Sequence, residues 1–459
     1  MRDCSACGMN YDETNFDLCP YCGEDPGKSG QKEEPEPIAR AAGNEQKPTP
    51  EPPLKEKPRV SKPPSEKSGP PAALYAVAAV IIVAAIGAAL FFLLPSGSSE
   101  YTVPGKYSSI QEAIDAAQDG EEIVVEPGIY RENIDFKGKE ITLRSIDPDD
   151  PDIVASTIID GGTRGAVVTF RSGEGEGAVL AGFTITRGSG ILVSGGSSPL
   201  IYKNVIEDND AELGGGLIIF DSSPVIRENT ITDNTGAMGG GIFAEASSPV
   251  IENNTITNNR AAFGSAIFLI SDSAAVITGN TITGNQANQD GGAIVVAGNS
   301  MPQIKNNIIE NNRAGRYGGG IYVDESQPVI EQNIINNNRA ALGAGIFILH
   351  STVRVNNNSL VGNEASLSGG AIYMQGSTPR IEENEIVSNS ADFSGGGIAV
   401  YESFPTIARN NFEGNTAGTP DGGGGGGIWS SADSQLDIQD PDTNKYSMNE
   451  PDDIYIESD

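Results

Sequence analysis

The sequence predicts an all-β solenoid of stacked strand coils over residues 95–459, and three recurrences predict it. The first is a glycine-rich pattern, G-x-[GA]-[IL], whose last residue falls at Ile191, Leu217, Ile242, Ile267, Ile294, Ile321, Ile346, Ile372, Ile398 and Ile428. The steps are 25 to 27 residues until the last, which is 30. The second is a pair of aliphatic columns, one running through Ile201, Ile226, Ile251 and Ile277 and the other through Ile206, Ile231, Ile256 and Ile282. The third is asparagine in the pattern N-x-[ILF]-x-x-N, repeated from Asn204/Asn209 to Asn410/Asn415. A fixed period of this size marks a stacked repeat architecture. The short β-branched runs, with no helix-period segment, make each repeat a coil of strands.

Each residue type then has a task. Stacking places like residues about 4.8 Å apart in columns, as in any β-sheet. The aliphatic columns fill a core that no single coil could close. Asparagine is expected at corners, where a stacked amide donates to one neighbouring coil and accepts from the other, and where it tolerates a left-handed turn. Glycine carries the chain round the remaining corner, and prolines such as Pro224 and Pro249 open strands. Ten such coils make a rod of about 48 Å. At its start Ser109 and Glu112 suggest a capping box over a helix at about 108–118, whose face of Ile110, Ala113, Ile114 and Ala117 covers the open core. At its end "DDIYIESD" reads as a last strand with a charged edge.

Three segments precede the coils. In residues 1–23, Cys4/Cys7 and Cys19/Cys22 form two C-x-x-C-G knuckles, similar to a short zinc ribbon. Four thiolates suit tetrahedral structural zinc and leave no open position for catalysis. Iron in the same cage, or two redox disulfides, are the alternatives. Residues 24–71, rich in Pro, Glu and Lys, read as a disordered linker. Residues 72–94 are uncharged and apolar, long enough for a transmembrane helix. Lys55, Lys57, Arg59, Lys62 and Lys67 precede that segment, so the positive-inside rule predicts a cytoplasmic N-terminus and extracytoplasmic, cell-surface coils. The cysteines agree with this, since all four lie on the reducing side.

The chain carries 29 Lys+Arg against 62 Asp+Glu. Residues 1–95 hold 10 and 13 of these, leaving 19 bases and 49 acids for the coils. Such a field excludes nucleic acid as a partner and makes Ca²⁺ a second candidate ligand after zinc.

The stretch "YTVPGKYSSIQEAIDAAQDGEEIVVEPGIYRENIDFKGKEITLRS", with "TIIDGG" and "GFTITRG" after it, resembles the start of right-handed parallel β-helix proteins of the pectin-lyase-like superfamily. The resemblance covers about residues 101–459 and implies that fold. The repeats GGAI (291–294, 369–372) and F-x-x-N (Phe412 to Asn415) also resemble tetrapeptides of chlamydial polymorphic outer-membrane proteins, which are surface adhesins. Enzymes of the superfamily include lyases, polygalacturonases, pectin methylesterases and alginate epimerases. Their motifs do not carry over. Trp429 is followed by Ser430 rather than by x-Asp-His, and the one histidine, His350, precedes Ser351 rather than glycine. "DPDDPD" (Asp147 to Asp152) is similar to an epimerase motif but lacks its histidine and reads as a solvated loop.

Strand alternation points the residue after each motif isoleucine outward. That column includes Phe243, Phe268, Tyr322, Phe347, Tyr373 and Trp429, with Glu245, Asp324 and Tyr401 outward two residues on and Asp221, Glu325, His350 and Glu402 just beyond. An exposed aromatic stripe beside carboxylates suits sugar rings or a surface protein. The competing role for the column is cross-strand stacking under neighbouring turns. The expectation is therefore a membrane-anchored, non-catalytic binding or adhesion rod for polysaccharide or a surface partner, with a cytoplasmic protein as a further partner at the zinc ribbon. The alternative is a tethered polysaccharide lyase or hydrolase.

Overall fold

A computed structural model describes residues 2–3, 10–11, 101–162, 165–418, 424–438 and 444–457. The chain divides into two units, Met1–Pro70 and Pro71–Asp459. In the first, Arg2–Asp3 pairs antiparallel with Asn10–Tyr11. The four cysteines, the linker at 24–71 and the apolar stretch at 72–94 lie outside the described residues. Among the described residues no helix is long and apolar enough to cross a membrane.

The second unit is a parallel β-solenoid. Three sheets of 14, 13 and 13 strands run along it, and a fourth, outer sheet has 7. The repeat columns account for ten coils. The additional strands come from residues 101–187, which stack without the asparagine pattern, and from a final coil reaching Ile454–Ile456. At about 4.8 Å per coil, thirteen coils make about 62 Å of stack.

The register is the one the periodicity predicts. Ile201 pairs with Ile226, Ile226 with Ile251, and Ile251 with Ile277. These isoleucines are fully buried in one continuous core. The helix Ile110–Ala116 closes the N-terminal end, burying Ile110, Ala113 and Ile114. Ser109 Oγ accepts from the Glu112 N–H as expected. The Glu112 carboxylate, however, takes the N–H of Ser108, not of Ser109. Glu132 accepts from the N–H groups of both Ile110 and Gln111, satisfying two orphan donors of the first turn. The "DPDDPD" segment is not simply a loop: Asp150 caps a short helix, Pro151–Ser156.

The asparagines form two buried ladders. Asn307 is typical. Its Oδ1 accepts from both the backbone N–H and the Nδ2 of Asn280, each at 2.9 Å. Its own Nδ2 shares two protons among Ile277 O, Lys305 O and Asn333 Oδ1, at 2.9 to 3.0 Å. The ladders run one coil beyond the expected columns, to Asn444 and Asn449. The expectation of left-handed asparagines is corrected in one respect. The left-handed residue is the one before each ladder Asn: Glu228, Asn253, Asn306 and Gln332 have φ of 52° to 56°. The ladder Asn must aim its amide along the rod axis, so the turn falls on its neighbour. A third ladder, of serine, was not legible as such. Ser247 N donates to Ser273 Oγ, and the series continues through Ser300, Ser326, Ser351 and Ser377 to Ser403. The ladder starts at Ser222, whose N–H donates to Ser247 Oγ; one coil before it, Ser197 Oγ donates instead to the buried carboxylate of Glu174.

Replacing Asn307 by Ala removes a hub and leaves buried donors and acceptors unmatched on both adjacent coils, at about 1–3 kcal/mol for each unsatisfied group. Asn307→Ala is expected to lower the urea midpoint by more than an Asn336→Ala change of a half-buried, non-ladder asparagine. Equal midpoints would show that the ladders carry no stability.

Candidate functional site

The third sheet places the aromatic column in direct register. Phe243 pairs with Phe268, Tyr322 with Phe347, and Phe347 with Tyr373. The rings stack: Phe347 lies 5.5 Å from Tyr322 and 5.2 Å from Tyr373, with interplanar angles of 8° and 6°. They are not a solvent-facing stripe. Phe243 and Phe347 are 2% exposed, Phe268 6% and Tyr373 9%; Tyr322 and Trp429 are half-buried. The cover is the outer sheet and its flanks, from which Met238, Phe263, Tyr317 and Leu342 pack onto the rings. Tyr317 stacks on Phe347 at 4.6 Å.

The outer sheet comprises Arg260–Phe263, Gln286–Asp290, Arg313–Ala314, Arg339–Leu342, Glu364–Ser368, Ser390–Ala391 and Thr416–Ala417. It forms because the chain from the second Asn ladder to the glycine motif is longer than a turn needs. A sequence signal for it exists: the second ladder Asn is followed two residues later by alanine at Ala261, Ala287, Ala314, Ala340, Ala365 and Ala391. Those alanines face inward and are buried. The glycine motif turns the chain from this sheet under itself. Gly239 has φ +65°, and a Cβ on Gly240 would lie 2.5 Å from the Arg260 carbonyl oxygen.

Beyond the rings, the third sheet ends in a corner that does face solvent. Glu325, His350, Gly376 and Glu402 form one left-handed column with φ of 43° to 58°. Backbone bonds link it from coil to coil: Glu325 N donates to Leu349 O, His350 N to Gln375 O, and Gly376 N to Tyr401 O. Glycine at 376 leaves a notch that the His350 ring enters, since a Cβ there would lie 2.7 Å from its Cδ2. Asp324, just inside the corner, is half-buried. Burial pushes its carboxyl above the usual range, with Glu325 adding to the effect and His350 and Tyr322 opposing it. Burial also pushes the Tyr373 hydroxyl up to about 12.

Two rings complete the corner: Tyr401, which strand alternation already turned outward, and Phe404, which carries no repeat signal. Tyr401 is 38% exposed and Phe404 55%, three residues apart on the coil of Glu402. The buried Ser403 and Pro405 anchor the segment between and beside them. The structure thus brings Asp324, Glu325, His350 and Glu402 to one edge and removes Phe243, Phe268, Phe347 and Tyr373 from the surface. Among the described residues no group of three or more His, Cys, Asp or Glu could hold a metal ion.

Since Phe347 is a core ring, Phe347→Ala should cost about 3–5 kcal/mol in chemical denaturation, the usual range for a buried phenylalanine. A cost below 1 kcal/mol would return the column to the surface.

The sequence matches the right-handed beta helix region over residues 145–309 and 264–386, which together span more than half of the 459-residue chain. No curated protein matches it. Among solved structures it is similar to the A-module of mannuronan C-5 epimerase AlgE6 from Azotobacter vinelandii. That similarity is 15% in identity, with a TM-score of 0.39, and covers 76% of this chain and 94% of the module. On the matched repeats, and with the coil-by-coil register described above, the chain belongs to the right-handed beta-helix family.

Proposed function

We propose that the chain is a membrane-tethered, extracytoplasmic rod that binds carbohydrate at the Tyr401–Phe404 corner without transforming it. One observation carries the reading. The structure buries most of the expected aromatic column, yet leaves these two rings open on either side of Glu402. Exposed aromatic faces take up the apolar faces of sugar rings, and adjacent carboxylates and imidazole accept or donate hydrogen bonds to hydroxyls. A surface protein offering similar groups is the second kind of partner. The tether is residues 72–94, for their uncharged length and the lysines before them. Zinc on Cys4, Cys7, Cys19 and Cys22 is supported by the spacing, and by the pairing of Arg2–Asp3 with Asn10–Tyr11 on either side of Cys4 and Cys7 in the sequence. The cytoplasmic partner would meet this knuckle, and Ca²⁺ would bind the acidic coils.

A polysaccharide lyase or hydrolase is the second reading. The raised Asp324 carboxyl beside Tyr322 and His350 favours it, because titratable groups with shifted pKa gather at reactive sites.

A glycan screen on the purified chain, with and without Ca²⁺, separates the two. The binding reading expects retention without new reducing or unsaturated ends. It also expects at least a tenfold loss of affinity in the double variant Tyr401→Ala/Phe404→Ala, with an unchanged melting temperature. New chain ends abolished by Asp324→Asn would establish the enzyme instead. Retention indifferent to the two rings would remove the corner from the account. Independently, metal analysis should find one zinc per chain, lost in Cys4→Ser/Cys7→Ser; a chain without zinc would refute the knuckle.

A further inference from the structure

The outward column of the outer sheet holds arginines in an acidic molecule. Arg260, Arg313 and Arg339 each immediately follow a ladder asparagine and are exposed. Arg313 and Arg339 are direct partners on adjacent strands, about 4.8 Å apart along the backbone. Like charges placed directly opposite each other destabilise a sheet. Arg339 has Glu364 as its other register partner, whereas Arg313 stands between Gln286 and Arg339 with no acid on either side, although the coils carry 49 acidic residues against 19 bases. Arg339 Nε reaches Glu364 Oε2 at 2.8 Å. Among the described residues Arg313 has no ion-pair partner within 4.0 Å.

These two guanidinium groups border an open groove of about 430 Å³. Its floor is the backbone of Ala314, Gly315, Ala340 and Ala341, with the side chains of Ala314 and Ala340 buried beneath it. Alanine and glycine there leave the backbone approachable by a flat ring. The groove changes sign along the rod, from Arg313 and Arg339 through Glu364, which is ion-paired to Arg339, to Asp392. This groove lies on the outer sheet, whereas the Tyr401–Phe404 corner ends the third sheet, so the two stand or fall separately.

We infer that the Arg313–Arg339 groove is a binding site for an oligosaccharide bearing a single anionic group, carboxylate or sulfate, at one end and neutral hydroxyl or amino groups beyond it. The anionic group sits on the two forks, which take carboxylate or sulfate oxygens bidentately, and its charge offsets the repulsion between the stacked cations. The next sugar lies over the alanine floor, with its hydroxyls donating to Glu364 and Asp392. A uniformly charged polyanion would set its second anionic group against those carboxylates, so the groove selects against it. Its volume falls in the range of small-molecule sites and suits a ligand of about two sugar units.

The test uses the purified full chain and four sets of short oligosaccharides: singly carboxylated, singly sulfated, polyanionic and neutral. At least one singly anionic set should bind, and more tightly than the polyanionic and neutral sets. Which of the two binds identifies the anionic group. Arg313→Gln should weaken this binding at least tenfold with no change in melting temperature, and Arg313→Lys should restore only part of it. Glu364→Gln should raise the affinity for the polyanionic set. The double variant Tyr401→Ala/Phe404→Ala should bind the anionic ligand as the natural chain does; its loss there would move the site to the corner and overturn the inference. So would polyanions binding as well as singly charged chains, indifference to Arg313→Gln, or no anionic oligosaccharide binding at all.

Discussion

The structure depends on one constraint: adjacent coils must meet in register, residue on like residue. The asparagine ladders impose it. Ladder amides such as that of Asn307 bond to the coil before and the coil after, and about half of them also to a carbonyl two residues back in their own coil. A slip of one residue would break these bonds along the whole stack and turn every inward isoleucine outward. The amides are buried, so the penalty is the full cost of unmatched polar groups rather than an exchange with water. Hydrophobic burial drives the stack together, but it is non-directional and tolerates near misses. The ladders supply the direction.

That constraint leaves function to the parts of the coil which do not face the core. Two regions differ from a plain repeat. The third sheet's corner collects the histidine, three carboxylates and two open rings in consecutive coils, because its left-handed column splays side chains away from the rod. The outer sheet adds a second layer over the aromatic column. Its inward alanines are small enough to let the strands lie close, and its outward positions carry the arginines. A repeat protein acquires a site where a column departs from its consensus. Glycine at 376, where neighbouring coils carry His350 and Glu402, is such a departure; the paired Arg313 and Arg339 are another.

The aromatic column shows how far periodicity can be read. Alternation placed those rings on the outer face of the third sheet, and they are there, stacked in register as neighbouring strands require. Alternation does not say what lies beyond that face. Whether Phe347 meets water depends on a segment folding back as a strand over it. Its own signal, alanine two residues after each second-ladder Asn, is weak because alanine suits many environments. Phe404 escapes notice, and Tyr401 reads only as an outward neighbour of the stripe, for the opposite reason. Neither belongs to an aromatic column: Tyr401 pairs with Gln375, and Phe404 follows the serine ladder. Column logic finds what repeats, and these rings do not.

The sequence by itself determined the coil period, the inward isoleucines, the capping helix and the pairing partner of each strand in the repeat columns. These follow from local patterns that recur at fixed spacing, and stacking converts spacing directly into contact. Only the tertiary structure decided which outward residues see solvent, which residue takes the left-handed turn beside each ladder asparagine, and that serine forms a third ladder. Those outcomes depend on how separate layers cover one another and share hydrogen bonds across coils, and no single repeat contains that information.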